Sequence, residues 1–263
     1  ATRLYLLSEL KHIQNRLEKL TKKFLSLAKK NSTVPLPGYS HTQQAMLSSV
    51  GHYLSSFAES LTDDLDIVNF TSHFISKNPL GSAAGFGVSL PLDRKLTTKL
   101  LNFESMQINS LYCQNSRGKF ESLYLENLVQ IMLTLGKFAN DMLFFTSREL
   151  SYFSFPDELT TGSSIMPQKK NLDTFEILRS KVSVVIANQE MIKNISKNLL
   201  SGYNRDLQLI KKPLLESTEI ILDSLEITEL YLNKMKINEE NIILNIKPDI
   251  LAADTAIELT KTG

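Results

Sequence analysis

The stretch "LSELKHIQNRLEKLTKKFLSLAKK", residues 7–30, decides the fold. Leu7, Leu10, Ile13, Leu17, Leu20, Phe24 and Leu27 return at alternating spacings of three and four, with polar residues between them. A period near 3.6 puts such positions on one face, so a long amphipathic helix with an a/d-like seam is predicted, ending near Asn31. "NSTVPLPGYS" (31–40) reads as a loop broken by Pro35, Pro37 and Gly38. A second helix is expected from about His41 to Leu61 and a shorter one from Asp63 to about Ser76. Residues 77–93, "KNPLGSAAGFGVSLPLD", concentrate glycine and proline and read as an extended surface loop. Between Arg94 and Phe155 there is no proline and only Gly118 and Gly136, which predicts two long helices or one bent one. A loop follows at 156–170. Asn171 to Leu200 and Leu214 to Lys247 contain neither glycine nor proline, and helices of about thirty residues reach on the order of 45 Å. Alternation of period two is hard to find, and no internal repeat occurs. The expected fold is all-α, an elongated bundle of long helices forming one domain over residues 1–263. In "LENLVQIMLTLGKFANDMLFF" (125–145) the apolar set is wider than one stripe. That pattern fits the central helix of a monomeric bundle or, preferred here, a helix buried between subunits.

The totals narrow the function classes. With 263 residues, 42% hydrophobic and 22% charged, the chain can bury one large core or two modest ones without a metal or disulfide staple. Basic and acidic side chains number 29 and 28, a formal net charge of +1, so no global field exists to hold nucleic acid or an anionic membrane surface. The single cysteine, Cys113, excludes an intrachain disulfide and a Cys-rich metal site, and fits a reducing, cytoplasmic setting. No apolar stretch approaches the roughly 18–20 residues that span a bilayer. The N-terminal "ATRLYLLSELKHIQNRLEKL" is amphipathic and carries Glu9 and Glu18 without a signal-peptide cleavage pattern. It begins without methionine and already in helical phase, as expected of a piece cut from a longer protein.

Three polar loops interrupt the helical text. In "PGYSHTQQA" (37–45), His41 follows a Pro-Gly break beside Ser40 and Thr42, which reads as a helix cap or as a presented histidine. "NPLGSAAGFG" (78–87) fits neither G-x-G-x-x-G nor the P-loop, though its small residues allow close backbone approach to an anion. "TTGSSIMPQKKNLDTFE" (160–176) sets a hydroxyl-rich, glycine-hinged segment before two lysines and a helix start. Free helix amides and the positive dipole end there suit a carboxylate or phosphate, and Asp173 in the first turn also supports the helix itself. Neither Ser163 nor Ser164 has lysine three residues on, so a Ser-x-x-K nucleophile is excluded. By spacing alone the functional and structural readings of this segment stay open.

"GSSIMPQKKN" (162–171) followed by Glu176 resembles the signature loop of the fumarase/aspartase superfamily, G-S-S-x-M-P-x-K-x-N with a glutamate five residues later. "LPGYSHTQQA" is similar to the superfamily's histidine loop, with Ser40 where threonine is usual. "NPLGSAAGFG", "PDELTTGSS", "SGYNRDLQ" and "PDILAAD" resemble the argininosuccinate lyase family within it, over nearly the whole chain. The resemblance implies a fumarase/aspartase-like central helical domain. It implies elimination without a cofactor or metal, converting argininosuccinate to arginine and fumarate. Ser163 would be the general base, on a loop that closes to exclude water. Lys169 and Asn171 would hold the carboxylate on which charge develops. His41, in a charged partnership with Glu176, would act on the leaving-group side. Ser40, Ser82, Tyr203, Gln208 and Lys211 would contact substrate, with Arg205 nearby and Asn109 and Ser110 as weaker carry-overs. Members assemble as homotetramers whose active sites gather loops from three subunits. Leu172 departs from the usual proline, which should loosen the turn; Met46-Leu47 replace Gln-Pro, and Gly118 stands where many members have aspartate. Members also carry an N-terminal domain with an Arg-Asn-Asp motif and continue past the point where this chain stops. Two alternatives remain: a non-catalytic helical assembly module of the same fold, crystallin-like or an isolated domain, and an adenylosuccinate lyase-type member, against which "SGYNRDLQ" argues.

Overall fold

In the computed structural model, which describes residues 1–263 apart from the side chain of Thr262, helices carry most of the chain. The first, α1 (Thr2–Lys30), holds the seam as expected, with Leu10, Ile13, Leu17, Leu20 and Phe24 buried. At its two ends the buried line passes through Leu6 and Ala28 rather than Leu7 and Leu27, because a straight helix drifts from a strict 3.5-residue repeat.

The sequence predicts a helix from about His41, and here the structure differs. Residues 35–49 form an antiparallel hairpin, β1 (Pro35–Ser40) with β2 (Gln43–Ser49), irregular at Gly38/Tyr39. The helix α2 then runs unbroken from Val50 to Ile75 instead of dividing near Leu61. Thr62 lies within it, its hydroxyl satisfied by donating to the Ala58 carbonyl at 2.8 Å, one turn back. Beyond β3 (Lys77–Asn78) come α3 (Arg94–Leu100), β4 (Ser105–Met106), α4 (Ser110–Asn115) and α5 (Lys119–Phe145), with β3 and β4 paired in parallel. Only α5 is long. Asn102 and Gly118, at φ of 54° and 87°, follow the ends of α3 and α4 and turn the chain out of helical geometry. Gly118 also leaves no room for a side chain: a Cβ there would lie 2.0 Å from the Ser196 hydroxyl oxygen. That close approach, with the positive φ, accounts for glycine at this position.

The chain continues through β5 (Phe153–Ser154), β6 (Thr161–Gly162), β7 (Lys170–Asn171), α6 (Asp173–Ser196), α7 (Lys211–Lys234), β8 (Lys236–Ile237), α8 (Glu239–Asn245) and α9 (Ala252–Thr262). Helix α7 stops at Lys234, short of the expected Lys247, although no glycine or proline marks the place. Tertiary pairing ends it: β8 lies antiparallel to β5, and the Asn238 side-chain amide donates to the Ser151 carbonyl at 2.7 Å. The helical stretch Ser110–Phe145 contains a window apolar and long enough to cross a membrane, which corrects the expectation that no stretch approaches that length. Over half of that window is buried inside the protein, as befits a core helix that is apolar on several sides.

The chain divides into two compact units. The first comprises Ala1–Leu17, Asp63–Leu133 and Ser180–Ser224, and the second Glu18–Thr62, Thr134–Arg179 and Leu225–Gly263. In the first, Tyr124 is fully buried and its hydroxyl meets that of Thr218 at 2.9 Å, while Asn127 donates to Thr71 at 2.8 Å. The second is aromatic. Phe138 meets Phe24, Phe57 and Phe175 at centroid distances of 5.2, 5.3 and 5.9 Å, and Phe175 meets Tyr231 at 4.6 Å. Each such pair adds about 0.5–1.5 kcal/mol beyond the area it buries. This cluster fixes the start of α6, the helix entered from the signature loop.

Candidate active site

Ser40, His41, Ser163, Lys169, Asn171 and Glu176 belong to the second unit, and Ser82, Tyr203, Gln208 and Lys211 to the first.

The signature segment is a small hairpin. Strands β6 and β7 pair Thr161 with Asn171 and Gly162 with Lys170, so residues 163–169 leave and return at one point. Below the ladder, the Thr161 hydroxyl donates to the Asp173 carboxylate at 2.5 Å and Lys170 pairs with Asp157. Within the loop, the Ser163 hydroxyl oxygen accepts from the Met166 amide at 3.1 Å and more distantly from Ile165 at 3.4 Å, while the Lys169 amide donates to the Met166 carbonyl. Ser163 is half-buried, Lys169 is exposed, and Ile165 is 87% exposed. Leu172, where the resemblance led to an expectation of proline and a looser turn, is buried, and its carbonyl accepts from the Phe175 amide at 2.9 Å as α6 begins. A tight helix entrance is thus made from an apolar anchor rather than a ring. Glu176 sits exposed in the first turn of α6, one residue after the buried Phe175. The arrangement offers a hydroxyl, an ammonium and an amide side chain around one loop, with a carboxylate on the helix it enters.

His41 and Thr42 form the two-residue turn between β1 and β2, at φ of 52° and 62°. Both values lie in the left-handed region, which costs a non-glycine residue roughly 1–2 kcal/mol. A β-branched residue there is a true outlier. The ring of Tyr39, two residues before His41, packs edge-on against Phe144 at 5.1 Å, and its hydroxyl meets that of Tyr152 at 2.9 Å. Gln44 donates to the Asn245 carbonyl at 2.7 Å and accepts from the Lys247 amide at 3.1 Å. The flank of the turn is held while His41 itself stands exposed. No helix begins there, so the capping reading of Ser40 and Thr42 falls; Thr42 instead donates to its neighbour's carbonyl at 2.6 Å.

In the first unit the glycine loop is braced by Arg94. Its guanidinium donates to the carbonyls of Leu80 at 2.7 Å, Gln107 at 2.7 Å and Ile108 at 3.2 Å. Asn78, fully buried, accepts from the Leu80 amide at 3.0 Å and donates to Thr98 at 2.9 Å. Gly85 and Gly87 fold back onto the Ser82 carbonyl, and Ser82 is buried. Beside this loop lies a cavity of about 960 Å³ lined by Ser82, Tyr203, Arg3, Gln114, Arg117 and Glu121, among others. The cavity brings Ser82 and Tyr203 together. Gln208, on the 3-10 turn Arg205–Gln208, and Lys211, which opens α7, are exposed and do not line it. Asn109 caps α4 through the Tyr112 amide at 2.8 Å.

Two cations of this cavity escape sequence reasoning. Arg3 is buried, stacks on Phe120 at 4.1 Å and donates to Ser116 at 3.2 Å. Burial pulls its guanidinium below its ordinary range, with the Glu121 carboxylate opposing. Arg117 lies over the Tyr203 ring at 5.1 Å. Neither stands in a motif, and only the folded chain brings residues 3, 117 and 203 side by side. The lining is mainly apolar, and its two guanidiniums are the groups that could meet a carboxylate-bearing ligand.

The model of a protein family described as "Lyase" matches residues 1–187. Argininosuccinate lyase of Thermotoga neapolitana is 36% identical over 263 residues, covering all of this chain and 66% of that protein. Argininosuccinate lyase of Phocaeicola vulgatus is 42% identical over 237 residues, covering 90% of this chain and 53% of its own length. The chain therefore spans about half to two thirds of the relatives it matches. Among solved structures, EDDS lyase in complex with formate superposes with a TM-score of 0.84 at 20% identity, over 91% of this chain and 48% of that one. The fumarate lyase:delta crystallin from Brucella melitensis in its native form gives 0.83 at 21% identity, over 98% of this chain and 60% of that one. Class II fumarase from Schistosoma mansoni gives 0.79 at 21% identity, over 91% and 55%. At such identities the structures speak for the fold alone. The chain belongs to the lyase family, on the helical fold of the fumarase/aspartase superfamily.

Proposed function

We propose that residues 1–263 are the central domain of an argininosuccinate lyase, which eliminates arginine from argininosuccinate and leaves fumarate. The observation that carries this reading is the signature hairpin: one two-pair ladder collects Ser163, Lys169 and Asn171 and delivers the chain into the helix of Glu176. The identity of 36–42% to argininosuccinate lyases supports the substrate class.

The proton to be removed lies next to a carboxylate and is weakly acidic. A serine hydroxyl is a poor base and would first lose its own proton to solvent water; backbone donors here would stabilise the alkoxide that remains. The amides of Met166 and Ile165 point at the Ser163 oxygen, and hydrogen bonds to a charged form favour it. As the proton leaves, negative charge builds on the substrate carboxylate. Lys169 and Asn171 would meet it at the mouth of α6, where the helix amides add positive potential. His41, in the charged partnership with Glu176 that the family resemblance implies, would act as the leaving guanidinium departs. Ser40, Ser82, Tyr203, Gln208 and Lys211 would grip the rest of the substrate. The polar loops of several chains would combine in a homotetramer, in the cytoplasm, with neither membrane nor nucleic acid as partner.

The test is fumarate absorbance on adding argininosuccinate to this chain and to the full-length protein that contains it, with sedimentation to read the assembly. Fumarate release by the full-length tetramer is the expected result. A folded tetramer that releases none from argininosuccinate would overturn the reading.

A further inference from the structure

The hairpin that presents His41 raises a mechanical question. Its turn is left-handed at two residues, neither of them glycine or asparagine, and it projects into solvent. The outer strand does not hold it by packing: Gln43, Ala45, Met46 and Leu47 are all exposed. Such a conformation persists only where its surroundings over-determine it. Beside the packed ring of Tyr39, one polar side chain does this. Gln44 is half-buried, and its amide makes two backbone bonds at the end of α8, donating to Asn245 at 2.7 Å and accepting from Lys247 at 3.1 Å. The same nitrogen reaches the Tyr39 hydroxyl at 3.3 Å, and that hydroxyl meets Tyr152 at 2.9 Å. Tyr39 and Gln44 are direct cross-strand partners, one pair below Ser40 and Gln43, which flank the turn. Both strands are therefore tied down at one rung, immediately beneath His41, to segments about 110 and 200 residues away in sequence.

We propose that Gln44 is the positioning residue for His41: its two-point clamp on the backbone of Asn245 and Lys247, joined to Tyr39 and Tyr152, holds the strained turn that presents the imidazole. This rests on the functional reading above, in which His41 acts on the leaving-group side. A clamp of this kind affects the geometry of reaction rather than affinity, and a displacement of about 1 Å near the chemistry costs on the order of 100-fold in rate.

The experiment follows fumarate release by the full-length enzyme. Gln44→Met keeps the side-chain volume and removes both backbone bonds. It should lower kcat about 10–100-fold with KM nearly unchanged. Adding Thr42→Gly to that variant removes the strain the clamp opposes, and should restore most of the lost kcat; a general loss of fold would not be rescued this way. Tyr39→Phe tests the same network where Gln44→Met fails to fold. It should cost about 2–10-fold, the weight of one neutral hydrogen bond. Normal kcat in Gln44→Met beside an inactive His41→Ala would overturn the clamp alone. No rescue by Thr42→Gly in a folded enzyme would do the same. Normal turnover in His41→Ala would instead overturn the role of His41, and with it the catalytic meaning of the clamp.

Discussion

Two hairpins carry proposed catalytic residues, and they are built in opposite ways. The histidine hairpin pairs six residues on each strand, turns on only two, and is bonded to distant backbone through Gln44 and Tyr39. The signature hairpin pairs only two residues on each strand and carries a loop whose Ile165 is 87% exposed. Its restraints lie beneath it, in the Lys170–Asp157 pair and the buried Leu172 and Phe175. The difference matches the proposed chemistry. A residue that assists a leaving group must stand in one place, whereas a serine base works only once its loop has closed over substrate and excluded water. The stem of the signature loop is anchored and its tip is left free.

The contrast can be broken at several points. His41→Ala should lower kcat of the full-length enzyme about 100–10,000-fold, the range for a general acid–base group, with KM little changed. A rise in KM alone would make His41 a binding residue. Next in size are stability effects beneath and upon the signature loop. Phe175→Ala should destabilise the chain by about 3–5 kcal/mol in urea titration, since the ring is fully buried among aromatic neighbours. Ile165→Ala, at the exposed tip, should stay within about 0.5 kcal/mol of the parent. Equal effects from the two would mean that the loop tip is packed after all. Asp157→Asn, which breaks the exposed pair with Lys170, should cost less than about 1 kcal/mol and lose its effect in high salt.

The smallest effect concerns Tyr53, which shares the Phe145 ring with Tyr39 of the histidine hairpin. Tyr53 packs on Phe57, Phe145 and Phe153 and donates to Asp141 at 3.2 Å. Burial raises the Asp141 carboxyl above its usual range, with the Tyr53 bond and Lys137 opposing. A carboxyl raised by folding favours the fold below its unfolded pKa, and that contribution is lost as pH rises through the folded value. Asp141→Asn stays neutral throughout. Its stability relative to the parent should therefore improve from acid to neutral pH, and a constant difference across that range would contradict the sign.

Much of this molecule was legible in its sequence, for particular reasons. The α1 seam and the long apolar α5 follow from periodicity because each buries a continuous face. The signature loop was legible as a pattern, since spacing and residue types survive without coordinates. The histidine hairpin was not. Its second strand, "QQAMLSS", has no buried alternate positions, its first contains two prolines, and its turn uses His-Thr where asparagine or glycine would announce a hairpin. The end of α7 was hidden because a strand pairing stops it, not a breaker residue. Arg3 and Arg117 were invisible because their shared cavity exists only once sequence-distant segments fold together.

The most direct test of the central proposal is a single substitution in the full-length enzyme, Ser163→Ala, read by fumarate absorbance beside calorimetric binding of argininosuccinate. The expected result is binding close to that of the parent with turnover reduced at least about 1,000-fold, or roughly 4 kcal/mol of barrier. Near-normal turnover would remove Ser163 as the base and leave the amides aimed at its oxygen without the role assigned to them.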